Sequence, residues 1–369
     1  MGEAQETFRL VDLGPQDPFQ AFGRMPVLGS NVHNGAGPIM TTSVWGATHL
    51  NVGWFDDVDA TLDLARCREL GVQVIRRPVY GGGTAFYEAG SAVMWSWLLP
   101  KETQPDLDVS LARFQPVITD ALQRLGLDSA VFEGSSDLRF NGRKLGALSA
   151  QDVVLCNSVG GFINNRPPDL DTYLQVVRVP DDKFKDKAVK DMREYVVTAE
   201  EIRGKALPYE EFRDALVAAT EAAGFDLHEE PLTDDENRGV QKIAGKIALD
   251  ESVRRISSDR FRAQAPAGSR VGFGNEKGRK LCRAGVAVDA GGTIVAAMMA
   301  GDMHVGPPDV LDRTAAALVG ADSERADDLR ARIAGVFEAE DVHQPDALMG
   351  VTTDDLLKAV QRAVGSATS

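Results

Sequence analysis

Arg76-Arg77-Pro78-Val79-Tyr80-Gly81-Gly82-Gly83-Thr84-Ala85-Phe86 follows a strand-like run, Val72-Gln73-Val74-Ile75. Two fixed cations lead into three consecutive glycines. Glycine lets backbone N–H groups approach an anion closely and permits φ > 0. Guanidinium groups match phosphate or carboxylate oxygens with two parallel bonds. The stretch reads as a loop that holds an anionic small molecule. The plainer alternative is a tight turn beside a surface arginine pair.

Further along, Ser135 to Gly146 reads as strand, tight turn, strand. Leu138 and Phe140 alternate with polar residues, and Asn141-Gly142 is the preferred pair for a two-residue hairpin turn. Lys144 falls early in the second strand. A lysine there is ordinarily a solvated edge charge. With an arginine–glycine loop upstream, it is also placed to reach a phosphate.

Composition narrows the class. The chain has 369 residues, 43% of them hydrophobic, enough for a substantial core in two domains. A net charge of −15 argues against nucleic-acid binding, which needs a basic footprint. The three cysteines, Cys67, Cys156 and Cys282, show no paired spacing, so neither a disulfide framework nor a zinc site is expected. The N-terminus lacks a basic segment followed by an apolar one, and no run approaches a membrane span. A cytoplasmic location with no membrane partner is the expectation.

The two segments, in order, resemble the lipoate–protein ligase family within the biotin/lipoate ligase fold. That family carries an RR-x-(S/T)-GGG-(A/T)-V-(F/Y) loop and, later, N-D-(L/I)-x-x-x-G-(R/K)-K-(I/L)-x-G. These match Arg76 to Phe86 and Ser136 to Gly146. Leu50 to Trp54, the Ala60–Leu70 helix, Asp171 to Val179, Asp186 to Lys190 and Val196 to Thr198 resemble the flanking family elements. The departures are Tyr80 for Ser/Thr, Ser136 for Asn, and Tyr87-Glu88 for His-Asp. They touch the acyl pocket and leave the acyl chain open.

The resemblance implies an α+β fold with mixed and antiparallel sheets flanked by helices, plus a small α+β C-terminal accessory domain. The expected layout is an extended lead-in over 1–40 with one short helix near Pro18–Phe22, a catalytic domain over 41–252, a basic linker over 253–280 and the accessory domain over 281–369. It implies ATP-dependent attachment of lipoate or octanoate, through an acyl-adenylate, to a lysine of a lipoyl carrier domain. The carrier would be a dehydrogenase E2 or glycine-cleavage H-type domain. Lys144 would be catalytic. Arg76, Arg77, Tyr80, Gly81, Gly82, Gly83, Thr84, Ala85, Phe86 and Asp137 would bind substrate or adenylate, with Asp137 a candidate Mg²⁺ ligand. Val79, Tyr80, Phe86 and Trp95 would line an acyl tunnel.

Two other readings stay open. Related transferases use a cysteine in C-F-x-x-P-S, where this chain has Val131. That favours an ATP-driven route, although Cys156 remains a candidate nucleophile. A non-catalytic acyl- or carrier-binding relative is the second. The five histidines show no metal-ligand spacing.

Overall fold

The structure is a computed structural model that describes residues 6–78, 83–104, 106–134, 136–153, 155–178, 193–344 and 350–368. Its strands are β1 (Thr7–Gln16), β2 (Ile39–Trp45), β3 (His49–Val52), β4 (Gln73–Arg76), β5 (Ala85–Tyr87), β6 (Ala92–Leu99) and β7 (Val131–Glu133). They continue as β8 (Asp137–Phe140), β9 (Arg143–Asp152), β10 (Asn157–Asn164), β11 (Asp226–Glu229), β12 (Arg270–Lys277), β13 (Leu281–Val288) and β14 (Ile294–Gly301). The chain divides into two compact units. One holds Met1–His49, Phe86–Leu174 and Val179–Ile247, and the other holds Leu50–Ala85, Gln175–Arg178 and Ala248–Ser369.

The first unit is built on an eight-stranded mixed sheet in the order β11-β1-β2-β6-β10-β9-β8-β7. Period-two alternation assigns its faces. Phe8, Leu10, Met40, Trp97 and Leu99 enter one core, while Val11, Ile39 and Leu98 enter another. Helices Leu107–Arg124 and Tyr209–Ala222 supply Phe114, Phe212 and Leu216 to the first core. There Trp97 stacks on Phe114 at 4.3 Å and Phe114 on Phe225 at 5.5 Å.

A capping box fixes the start of the helix Asp234–Ile247. Thr233 Oγ1 accepts from Glu236 N–H at 3.2 Å, and a Glu236 oxygen accepts from Thr233 N–H at 2.7 Å. Arg9 of β1 adds a two-pronged ion pair to Glu236, at 2.7 and 2.8 Å.

The lead-in differs from the expectation. Residues 7–16 form β1, an interior strand paired in parallel with β2 and β11. The helix Pro18–Asn31 follows, with Asp17 accepting from Phe19 and Gln20 N–H groups. Proline and glycine hid β1, whereas the helix expected near Pro18–Phe22 forms and runs on to Asn31. Pro18 stands in the first turn, where its missing N–H costs nothing. The helix Leu107–Arg124 is capped by Asp106 and carries Pro116 in its interior.

In the second unit, residues expected as a basic loop-like linker form the helix Ser258–Gln264 and strand β12. β12 pairs with β13, and β13 with β14. The final helix, Thr353–Thr368, covers this sheet and buries Leu356, Ala359, Val360 and Ala363 in its core. A Cβ at Gly272 would lie 2.1 Å from the Ala363 oxygen, so helix and strand approach backbone to backbone. The third sheet has the order β4-β3-β5.

Candidate functional site

The Asn141-Gly142 turn forms as read, with φ of +50° and +76°. It brings β8 and β9 together with a bulge between Leu138 and Arg139. The bulge sets Arg139 opposite Lys144. Like charges so placed repel, and Asp137 lies between them. Lys144 Nζ donates to Asp137 Oδ1 at 2.7 Å, and Arg139 Nη2 to Asp137 Oδ2 at 3.0 Å. Partial burial alone would raise the Asp137 carboxyl. The hydrogen bonds and charge of Lys144 and Arg139 hold it below the usual carboxylate range.

The Lys144 backbone is fixed as firmly. Its carbonyl accepts from Val197 N–H at 3.0 Å, and Arg143 beside it pairs with Glu201 at 2.9 Å. A Cβ at Gly146 would lie 2.0 Å from the Phe162 oxygen, which explains the glycine two residues on. Lys144 and Asp137 side chains each stay 25% exposed. Among the described residues Lys144 therefore has a held backbone, one carboxylate partner and donors left over. A cavity of about 580 Å³ lies alongside, lined by Arg143, Pro167, Asp169, Arg193 and Val196.

In the second unit the loop residues take unequal roles. Tyr80, Gly81 and Gly82, like Val79 and Asp186 to Lys190, lie outside the described residues. Gly83 has φ +85°. Its N–H donates to Asp56 Oδ1 at 3.3 Å, and Thr84 Oγ1 to Asp56 Oδ2 at 3.0 Å. Gly53 N–H reaches the same carboxylate at 3.2 Å. Asp56 thus anchors the end of the glycine loop. Only its acidic type marked it beforehand.

Arg76, expected to bind substrate, has a different use. It is 3% exposed and donates to the carbonyls of Gly53, Trp54, Asp56, Val253 and Ile256 at 2.7–3.2 Å. Burial lowers its pKa to about 10. Its donors are committed to the backbone, so it supports the loop from beneath. Arg77 is partly exposed, and its N–H donates to the Val52 oxygen at 3.1 Å.

Ala85 and Phe86 open β5, and the Phe86 ring meets Tyr173 at 5.8 Å. Trp95, expected in the acyl tunnel, lies in the main core against Phe212. An aromatic group not foreseen combines Trp45, His49 and Tyr87, with His49 4.4 Å from Trp45 and 5.5 Å from Tyr87. Burial pushes the His49 imidazole down to about 4, so it is neutral at physiological pH.

The family model for the lipoyl protein ligase A/B catalytic domain matches residues 17–221, more than half of the chain. The chain belongs to that family. Lipoate-protein ligase A subunit 1 of Thermoplasma acidophilum is 24% identical over 207 residues, covering 53% of this ligase-family chain and 76% of the relative. An octanoyltransferase LipM of Carboxydothermus hydrogenoformans is 26% identical over 140 residues, covering 36% and 51%. Three solved structures share the fold. The bipartite Thermoplasma acidophilum ligase, solved in a study with its E2 lipoyl domain, has a TM-score of 0.58 at 20% identity, covering 68% of this chain and 97% of that one. A lipoate-protein ligase A bound with ATP has a TM-score of 0.54 at 18% identity, covering 68% and 99%. Plasmodium falciparum LipL1 with lipoate has a TM-score of 0.61 at 14% identity, covering 93% and 97%.

Family membership leaves ligase and transferase chemistry to be separated by the thiols. All three cysteines are free and buried. Cys156 lies in a turn before β10 and packs among Val11, Leu28, Ile39 and Leu98. Burial raises its thiol to about 11 and that of Cys67 to about 11, and raises Cys282 to about 12. Such thiols are almost wholly protonated at neutral pH and are poor nucleophiles.

Both Asp137 oxygens accept from cations, Oδ1 from Lys144 and Oδ2 from Arg139.

Proposed function

We propose that the protein is an ATP-dependent ligase. It activates lipoate or octanoate as an acyl-adenylate and transfers the acyl group to a lysine of a lipoyl carrier domain. The observation that carries this reading is Lys144, held by one Asp137 oxygen with donors to spare. In the first step a substrate carboxylate oxygen attacks the α-phosphorus and pyrophosphate leaves. In the second, the carrier's lysine amine attacks the acyl carbon and AMP leaves. Charge develops on carboxylate and phosphate oxygens in both steps, and a fixed ammonium stabilises it without reorganising.

Asp137 sets the direction of the Lys144 ammonium. Asp56 holds Gly83 and Thr84 so that their loop can wrap the adenylate, with Arg77 beside it. Mg²⁺ enters with the nucleotide as substrate. ATP and lipoate find support in the ATP-bound and lipoate-bound structures that share the fold, and the carrier in the E2 lipoyl domain studied with one of them. The thiol-independent route is supported by the protonated, buried cysteines and by Val131 at the transferase cysteine position. Three free thiols suit a reducing, cytoplasmic compartment.

The test is mass spectrometry of a lipoyl carrier domain incubated with the protein, Mg²⁺-ATP and lipoate or octanoate. The reading expects an ATP-dependent mass gain on one lysine. A gain from an octanoyl-carrier donor without ATP would replace it with octanoyl transfer, the activity named for the LipM relative. No gain under either condition would leave a binding role.

A further inference from the structure

In the second unit one face of the β12-β13-β14 sheet lies under the final helix, and the other face carries a cavity. Register places Phe273, Gly285 and Met298 in one row across the three strands, with Asn275 and Arg283 in the next. The helix Ser258–Gln264 leans on the first row, where Phe261 meets Phe273 edge to face at 5.9 Å. A Cβ at Gly285 would lie 2.8 Å from Phe273 Cε1 and 3.3 Å from Phe261 Cδ1, so the glycine makes room for both rings. Beside them a cavity of about 160 Å³ stays open, with Ala60, Phe273 and Met298 as its apolar wall. A cavity of about 150 Å³ holds one benzene, so this space suits an apolar group of about four to six carbons.

Four charged side chains line the cavity: Arg262, Arg283, Asp57 and Asp259. Asp57 is 3% exposed and already engaged. Its Oδ1 accepts from the N–H groups of Asp59, Ala60 and Ser258 at 3.2, 3.4 and 2.9 Å. The other three side chains are not so committed. Asp259 and Arg262 stand three residues apart on one helix, a spacing at which opposite charges ordinarily pair. Among the described residues they form no ion pair, and Arg262 holds its guanidinium 5.0 Å over the Phe273 ring instead. Arg283 Nη1 donates to Asn275 Oδ1 at 3.2 Å, and no described carboxylate forms an ion pair with it. One cavity thus presents two arginines with donors to spare, one unpaired carboxylate and an apolar wall.

We propose that this cavity binds a free α-amino acid with a short apolar side chain. The ligand's carboxylate takes guanidinium donors of Arg262 and Arg283, its ammonium takes Asp259, and its side chain lies against Phe273 and Met298. A ligand of one sign meets an opposing charge here: a simple carboxylate faces Asp259, and a simple amine faces two arginines. A zwitterion uses all three groups. The first residue of a peptide lacks the carboxylate and the last lacks the ammonium, so the ligand is a free amino acid. The inference stands apart from the ligase reading, and its test needs no turnover.

Calorimetric titration of the full-length protein with L-leucine, L-methionine or L-valine should show one-site binding at up to about 10 mM ligand. 4-Methylpentanoate and 3-methylbutylamine keep leucine's side chain and lose one charge each. They should displace leucine only at about tenfold higher concentration or more, and lipoate should not displace it. Arg262→Met keeps an apolar stem over Phe273, and Asp259→Asn keeps the side chain's shape. Each should weaken leucine binding by about tenfold, with the melting temperature of the unliganded protein within ~3 °C of wild type, because both side chains are exposed. Asp259→Asn should also narrow the gap between leucine and 4-methylpentanoate, which a merely structural loss would not do. Absence of binding by all three amino acids overturns the site. So does leucine binding undiminished in both variants, or displacement by lipoate, since either places the ligand elsewhere. Displacement by 4-methylpentanoate at leucine's own concentration overturns the zwitterion.

Discussion

Arg76 and Lys144 are both cations in the motifs that carry the family resemblance, yet the structure uses them in opposite ways. Arg76 is buried and spends its donors on five backbone carbonyls. Lys144 is a quarter exposed and meets one carboxylate. A guanidinium with no spare donor organises the chain around it. An ammonium with spare donors can accept a new anion. Charge and motif position thus do not distinguish support from chemistry; the count of unused donors does.

That contrast breaks if the two cations respond alike to removal. Lys144→Ala should lower adenylate formation by about 10³-fold, measured by ATP–pyrophosphate exchange, while the melting temperature moves by less than ~3 °C. Equal loss of stability would make Lys144 a second structural cation.

Arg76→Met should show the reverse. It strips hydrogen bonds from five carbonyls, four of them at buried contacts, and should destabilise the fold by ~3 kcal/mol or more in urea unfolding. A stable Arg76→Met protein with a raised KM for ATP would return Arg76 to the substrate site.

Glu236 sharpens the comparison with a carboxylate. Burial would raise it, but hydrogen bonds from Arg9, Thr233 N–H and Asn31 lower it to about 2. Its folded value thus lies below the unfolded one, near 4.5. Its contribution is present above pH ~4.5 and is lost as pH falls toward 2. Glu236→Gln should cost ~1–2 kcal/mol at pH 7 and progressively less at pH 3. A gap that does not shrink would remove the ion pair as its cause.

The smallest effect belongs to Cys156→Ser. Activity should stay within about twofold and stability should fall by ~1 kcal/mol, because a hydroxyl replaces a thiol in an apolar cluster. Abolished activity in a folded variant would bring the transferase reading forward.

The hairpin that carries Lys144 was legible because its signals are local. The Asn141-Gly142 turn, the alternation of Leu138 and Phe140, and the position of Lys144 two residues after the turn are short-range facts. The ion pair with Asp137 follows from that hairpin's register. Asp56 was not legible, because it reaches Gly83 and Thr84 only through contacts far apart in sequence. Arg76 was misread for the same reason, since Val253 and Ile256, which fix its role, come some 180 residues later. In the fold, β1 and β12 were missed where glycine, proline and charge masked the alternation that tertiary pairing supports.

The second unit is discontinuous in sequence, and this has a consequence for synthesis on the ribosome. Residues 50–85 emerge early, but the carbonyls of Val253 and Ile256 that fasten Arg76 emerge about 170 residues later. At 5–20 residues per second the delay is on the order of ten seconds or more. Through that interval the arginine–glycine segment is a nascent chain without its clasp. Folding of the second unit on the ribosome therefore cannot finish until the final third of the chain has arrived.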